Sequence, residues 1–254
     1  MPSLLSCNLD KIALLRNSRD GFGPDLGEAA RLCLDSGARG LTLHPRVDRR
    51  HALLSDLHDF SALIRNYPGC EFNIEGDLRA DLLERIDELE PEQFTVVPGD
   101  RGEKTSSRGW RHGDDQAGLV AYIKRKPSKT RVSVFVDPTV ESVQQAVDAG
   151  AGAAEFYTGH YALSKARYDK EPSKDSLRLD YETRCARLVM AAEFARSQGL
   201  RINAGHDLNL DNLGQLVRLI RPEEVSIGHA LISDALNIGL PQAIHSYCRI
   251  LQTS

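Results

Sequence analysis

Histidine, carboxylate and arginine side chains recur at the ends of short apolar runs in this chain of 254 residues. The clearest examples are His44, Arg46, Glu75, His206 and His229. Imidazole and carboxylate groups can take and give protons near neutral pH, and a guanidinium group holds anions. Together these residue types predict general acid–base chemistry on an anionic substrate.

Other catalytic chemistries have no comparable signal in the sequence. We find no HExxH or paired-cysteine pattern for a metal and no GxSxG turn for a serine nucleophile. Lys11 follows the first apolar run but adjoins Asp10, which favours a salt bridge over a Schiff base. We therefore expect neither a metal nor an organic cofactor.

Eight strand-like runs, each followed by a helical pattern, must position these side chains. The predicted strands are Leu4–Leu9, Gly40–Pro45, Cys70–Gly76, Glu92–Pro98, Arg131–Asp137, Ala153–Gly159, Arg201–His206 and Glu223–His229. Eight such units in a chain of this length are typical of an α/β fold, the (β/α)8 TIM barrel. We predict one barrel domain over residues 1–254, with extra helices or long loops at its C-terminal face. A doubly wound open sheet is the alternative, but it usually has fewer strands and a glycine-rich first turn.

The alternation within the runs predicts which side chains face the barrel interior. In the first strand Leu5 and Cys7 alternate with Ser6 and Asn8. Polar groups cannot lie under the helices without losing their hydrogen bonds, so they must face the lumen. We expect those near the C-terminal strand ends, including Asn203, to meet at the rim where barrel enzymes place their chemistry.

Two polar segments do not fit the repeat. Residues 163–180 are longer than a usual connection and predict an extra helix or a lid. Residues 100–131 carry nine basic and four acidic side chains. We interpret the latter first as solvated surface and alternatively, over residues 100–111, as a lid on an anionic substrate.

Composition excludes several functional classes. The net charge of −4 argues against a nucleic-acid partner, and no apolar run approaches the roughly 18 residues of a membrane span. The five cysteines form no CxxC pair, and the first residues lack the pattern of a signal peptide. We expect a cytoplasmic protein that binds neither nucleic acid nor membrane.

Long strings along the chain resemble the pyridoxine 5′-phosphate synthase family. They are CNLDKIALLRNSR, GLTLHPRVDRRH, FNIEG, VVPGDRGEKTSS, EFYTGHYA, RINAGHDL and SIGHALI. The resemblance implies a ring-closing transferase that joins 3-amino-1-hydroxyacetone 1-phosphate with 1-deoxy-D-xylulose 5-phosphate. Small phosphorylated substrates, released inorganic phosphate and a homo-oligomer, an octamer in the family, are implied as partners.

The resemblance also implies roles for particular residues. His44 and Glu75 would accept protons, and His206 would donate one. The residues implied in substrate binding are Asn8, Asp10, Arg19, Arg46, His51, Thr105, Gly228 and His229, and we expect Lys11 and Asp207 to belong to the same binding shell.

Two positions depart from the family pattern, which has His at Lys11 and Gly at Asp207. A carboxylate beside a phosphate site is repulsive, and Lys11 would offset Asp207 if the two side chains met. Two alternatives therefore stay open. One is a related barrel enzyme that condenses a different phosphorylated amino ketone or ketose, and the other is a catalytically silent binding homologue.

Overall fold

The computed structural model describes residues 3–19, 21, 23–99, 108–111 and 113–253. Within them eight parallel strands pair in chain order, and the last strand pairs with the first to close a barrel. The strands are β1 (Leu4–Asn8), β2 (Gly40–Leu43), β3 (Glu71–Gly76), β4 (Gln93–Val96), β5 (Arg131–Val136), β6 (Ala153–Tyr157), β7 (Arg201–Gly205) and β8 (Glu224–Ile227). The predicted (β/α)8 TIM barrel is confirmed.

Eleven helices lie within the described residues, which is three more than the eight of a minimal barrel. They are α1 (Asp10–Asn17), α2 (Leu26–Asp35), α3 (Asp56–Ile64), α4 (Ala80–Leu89), α5 (Gln116–Arg125), α6 (Val140–Ala149), α7 (Gly159–Lys170), α8 (Asp175–Ser197), α9 (Leu213–Ile220), α10 (His229–Ile238) and α11 (Leu240–Thr253). Residues 163–180 contain the end of α7 and the start of α8, which confirms the expectation of an extra helix. No helix in the described ranges has the length and apolar character needed to cross a bilayer.

Local sequence explains where the helices begin and end. Helix α6 begins after Thr139, whose side chain accepts a hydrogen bond from the Ser142 amide. It ends at Gly150, whose φ of +80° is the left-handed conformation that terminates many helices. Its apolar face, with Val143 and Ala146, is buried in the layer between helices and sheet. Packing of this kind holds the ring of helices against the barrel.

The N-terminal end of the lumen is closed by a charged network. Glu71 accepts hydrogen bonds from Arg131 and, at 3.1 Å, from Arg201. Gln93 accepts one from Arg131 at 3.0 Å and lies 3.3 Å from Glu224. Burial, with the Glu71 charge nearby, raises the pKa of Glu224 to about 7. Two guanidinium groups thus partly compensate two carboxyl groups inside the barrel.

The middle of the lumen is filled by small polar side chains. The Ser6 and Thr42 hydroxyls lie 2.8 Å apart, and the Asn73 amide donates to Thr42 at 3.3 Å. The Thr95 hydroxyl lies 3.0 Å from the Asn73 carbonyl oxygen and 3.3 Å from Glu155. Barrel interiors are more often packed with branched apolar residues. This barrel has instead a hydrogen-bonded row from Ser6 to Glu155 beneath its rim.

Candidate active site

A cavity of about 620 Å³ opens at the C-terminal ends of the strands. The sequence-predicted site residues that line it are Asn8, Asp10, Lys11, His44, Arg46, His51, Glu75, His206, Asp207, Gly228 and His229. Arg19 does not line it and is exposed beyond the end of α1. Thr105 and residues 100–107 of the predicted lid lie outside the described residues. The alternation of the strands therefore brings almost the whole predicted set to one place.

Asp10 ties the ends of the first two strands together. It is the first residue of α1, and its amide donates to Asn8 Oδ1 at 3.0 Å. Its own Oδ1 accepts a hydrogen bond from the His44 amide at 3.0 Å, while its Oδ2 lies 3.5 Å from His51 Nδ1. Asp10 therefore contacts the connection after β2 at two points, the His44 amide and the His51 ring.

Helix α1 also holds the connection from β2 to α3, which carries three of the predicted site residues. The Asn17 side-chain amide lies within 3.2 Å of the carbonyl oxygens of residues 49–51. Arg16 donates two hydrogen bonds to Asp56, at 2.7 and 2.9 Å. A two-pronged contact of this kind fixes direction as well as distance. It positions the backbone around Arg46 and His51.

His44 and Glu75 form the centre of the cavity. His44 Nδ1 lies 3.8 Å from Glu75 Oε2, and each side chain is less than 15% exposed. Burial lowers the pKa of His44 to about 4, against the opposing charge of Asp10. Burial and the neighbouring carboxylates Glu155 and Asp10 raise the pKa of Glu75 well above its usual value. At neutral pH the His44 imidazole is therefore uncharged, and it faces a carboxyl whose environment favours the protonated form.

Glu155 lines the same cavity and was missed in the sequence. It is 3% exposed, and burial with the nearby Glu224 charge raises its pKa to about 8. The signal was present, because a glutamate between Ala154 and Phe156 in a strand cannot face the helices. Asn203 was expected at the rim but lies deeper, where it donates to Gln93 at 2.9 Å. The stagger of neighbouring strands places it in the lower layer.

His206 and Asp207 follow β7 in an unusual backbone conformation. Both are non-glycine residues with positive φ, +86° and +58°. The turn brings Asp207 Oδ2 to 3.1 Å from His206 Nδ1, and the hydrogen bond lowers the pKa of Asp207. Within the described part of the chain, Asp207 thus pairs with His206 and makes no ion pair with Lys11. The expected compensation by Lys11 is replaced by a contact with the neighbouring imidazole.

The turn after β8 places a helix N-terminus at the cavity wall. Gly228 precedes α10, and His229 is its first residue rather than the last residue of a strand, as the sequence had suggested. A Cβ atom at position 228 would lie 3.2 Å from the Asn8 side chain, so glycine allows the close approach of these strands. Unpaired amide groups in the first turn of a helix attract anions. This end of the cavity suits a phosphate group.

Three side chains at the cavity centre could hold a divalent ion. One ligand atom each from Asp10, His44 and Glu75 lies within 4.8 Å of the others. All three would have to be deprotonated at the ligand atom to bind the ion. The same three groups can also exchange protons with a substrate.

Comparison with known proteins gives a consistent result. A family model described as pyridoxal phosphate biosynthesis protein PdxJ matches residues 5–253. The pyridoxine 5′-phosphate synthases of Brucella abortus (strain S19) and Brucella anthropi are 44% and 43% identical, and the alignments cover 99% of this chain and at least 99% of theirs. A phosphoribosyl anthranilate isomerase structure from Thermotoga maritima is 10% identical with a TM-score of 0.57, and both chains are fully covered. The latter similarity concerns the barrel fold alone.

Proposed function

The chain belongs to the pyridoxal phosphate biosynthesis protein PdxJ family, and on that premise we propose that it is a pyridoxine 5′-phosphate synthase. Its substrates would be 3-amino-1-hydroxyacetone 1-phosphate and 1-deoxy-D-xylulose 5-phosphate, and its other products inorganic phosphate and water. The observation that carries this proposal is the His44 imidazole 3.8 Å from the Glu75 carboxyl in a cavity that Lys11 and Arg46 also line. Ring closure requires proton transfers between carbon and oxygen but no redox step.

Phosphate binding has candidate groups on two sides of the cavity. Lys11 and Arg46 lie at the walls formed by the first two strands, and the N-terminus of α10 begins at His229 on the opposite side of β1. A guanidinium group and helix amides are complementary to phosphate oxygens. These groups would hold the phosphates of the two substrates.

The acid–base roles follow from the surroundings of His44, Glu75 and His206. His44 can take a proton from substrate carbon or nitrogen because its pKa of about 4 leaves it unprotonated. Glu75, whose pKa is raised by burial and by the neighbouring carboxyl groups, would exchange protons with a hydroxyl or carbonyl oxygen of the substrate. His206, on the far wall, would protonate a hydroxyl that leaves as water. Three proton-exchanging groups around one cavity can therefore act in successive transfers.

Glu155 supports these transfers from the cavity floor. Its carboxyl is nearly inaccessible to solvent, and its pKa of about 8 keeps it protonated at neutral pH. When it ionises, its charge raises the pKa of Glu75 further. The protonation of Glu75 is therefore coupled to a group that is enclosed beneath it.

One specific observation favours a second candidate, condensation of a different phosphorylated amino ketone or ketose. Lys11 and Asp207, the two positions that depart from the family pattern, both line the cavity. Their charges favour other polar groups on a substrate than the family's His and Gly would bind. The convergence of His44, Glu75 and His206 argues against a binding protein without catalysis, because mere binding needs no such set.

The test is incubation with both phosphorylated substrates while pyridoxine 5′-phosphate and inorganic phosphate are measured. We expect equal amounts of the two products, and a turnover at least about 100-fold lower in Glu75→Gln. The exposed Glu193→Gln on α8 is the matched control and should turn over normally. Tight binding of either substrate without product would refute the synthase proposal and favour the second candidate.

A further inference from the structure

The pair formed by His206 and Asp207 is held from several sides. The His206 ring packs edge-on against Tyr157, with ring centroids 4.9 Å apart. The Thr158 hydroxyl donates to the His206 carbonyl oxygen, and the Asn212 side-chain amide donates to that of Asp207 at 3.0 Å. Hydrogen bonds therefore fix the peptide that joins the pair and the peptide that follows it. In this conformation the two side chains lie 3.1 Å apart.

We propose that Asp207 is a positioning residue that keeps a proton on Nδ1 of His206 and commits Nε2 to proton exchange with the substrate. The inference rests on the proposed function, in which His206 is the proton donor. A carboxylate accepts a hydrogen bond from Nδ1–H in both the cationic and the neutral imidazole, so it selects one tautomer. The carboxylate is charged at neutral pH, because the hydrogen bond from His206 holds its pKa below the usual value.

The step balances with the groups already described. The Nε2–H bond of His206 breaks as an O–H bond forms on the substrate hydroxyl, and the substrate C–O bond breaks with its electron pair leaving in water. His44 takes a proton from the neighbouring substrate atom, so that a double bond forms where the hydroxyl was. The proton on Nδ1 remains in the hydrogen bond to Asp207, whose charge does not change. The ring ends neutral in the tautomer that a later proton from solvent or substrate can recharge at Nε2.

A purely conformational role for Asp207 predicts that activity and stability change together on substitution. At a φ of +58° glycine has no more backbone strain than aspartate. Asp207→Gly should therefore fold and be at least as stable as the wild type. If Asp207 only completed the turn, activity would follow stability. A positioning role separates the two quantities, because activity falls while stability holds.

The experiment compares Asp207→Gly and Asp207→Asn with the exposed neighbour Asp211→Asn as control. We expect Asp207→Gly to lower kcat by about 10- to 100-fold, with KM changed by less than about threefold. Asp207→Asn should lose less, because its amide oxygen still accepts from Nδ1–H and asparagine tolerates positive φ. The control should match the wild type in kcat, KM and melting temperature.

The tautomer of His206 gives a readout that needs no turnover. Nitrogen-15 NMR of the histidine rings, with the His206 signals assigned from His206→Gln, should show the neutral ring protonated at Nδ1 in the wild type and shifted toward Nε2–H in Asp207→Gly. An unchanged tautomer, or unchanged kcat in Asp207→Gly, would overturn the inference. If no pyridoxine 5′-phosphate forms in the wild type while the tautomer still shifts, the proposed function fails and the assignment of Nδ1 to Asp207 stands.

Discussion

Replacing Glu155 by glutamine tests the protonated carboxyl at the floor of the cavity. Its pKa lies at about 8 instead of the usual 4.5, so between these values the folded protein keeps a proton that the unfolded chain releases. Stability from this group is therefore complete below pH 4.5 and declines until about pH 8. One pKa unit corresponds to about 1.4 kcal/mol, so the full decline amounts to about 5 kcal/mol in the free energy of unfolding.

Glutamine has no proton to lose, and its side-chain oxygen can still accept the hydrogen bond from Thr95. Urea unfolding followed by circular dichroism should give similar stability for wild type and Glu155→Gln at about pH 4.5 and a more stable variant at about pH 8.5, by up to about 5 kcal/mol. The exposed Glu193→Gln should follow the wild-type curve at both values. Equal pH dependence in wild type and Glu155→Gln would mean that the buried carboxyl is ionised in the folded protein and refute the reasoning.

Two further outcomes are expected from the lumen and the cavity. Arg131→Met removes one of the two guanidinium partners of Glu71 and should lower the free energy of unfolding by about 2 kcal/mol in urea at neutral pH, whereas an unchanged midpoint would show that the network does not stabilise the barrel. Burial holds the pKa of His44 at about 4, so kcat/KM should not fall near pH 6.5 through protonation of this base. A fall near pH 6.5 that is present in the wild type and absent from the residual activity of His44→Gln would contradict the proposed environment.

The eight strands were predictable because each apolar run has its own alternation and a helical pattern follows it. Their exact ends were not. His229 belongs to the predicted eighth strand by its sequence, yet it begins α10, because strand pairing stops at Ile227. A residue at the rim continues the polar–apolar alternation of the strand and also fits the start of the next helix. Sequence periodicity therefore cannot tell where the strand ends and the helix begins.

The convergence of acid–base residues was also predictable, since charged side chains near strand ends have only the lumen to face. The depth of each residue was not. Asn203 and Glu155 are direct neighbours in the register of β6 and β7, but the first hydrogen-bonds downward to Gln93 and the second lines the cavity. Depth depends on side-chain direction and on the stagger between strands, which no single strand encodes. The contact of Asp207 with His206 likewise depends on two consecutive positive φ angles, which Asp and His adopt more often than most residues but which the sequence does not specify.

The hydrogen bonds from Asn17 of α1 to residues 49–51 limit which parts of this barrel can be exchanged with a relative. Barrel enzymes are commonly altered by exchanging one strand–loop–helix unit for that of a relative. Here Asn17 of the first unit supplies the contacts that shape the loop of the second, and Arg16 supplies the pair that anchors the helix after it. A second loop taken from a relative would lose these contacts unless the first unit were exchanged with it. The segment from β1 to α3 is therefore the smallest part of this half of the site that can be exchanged as one piece.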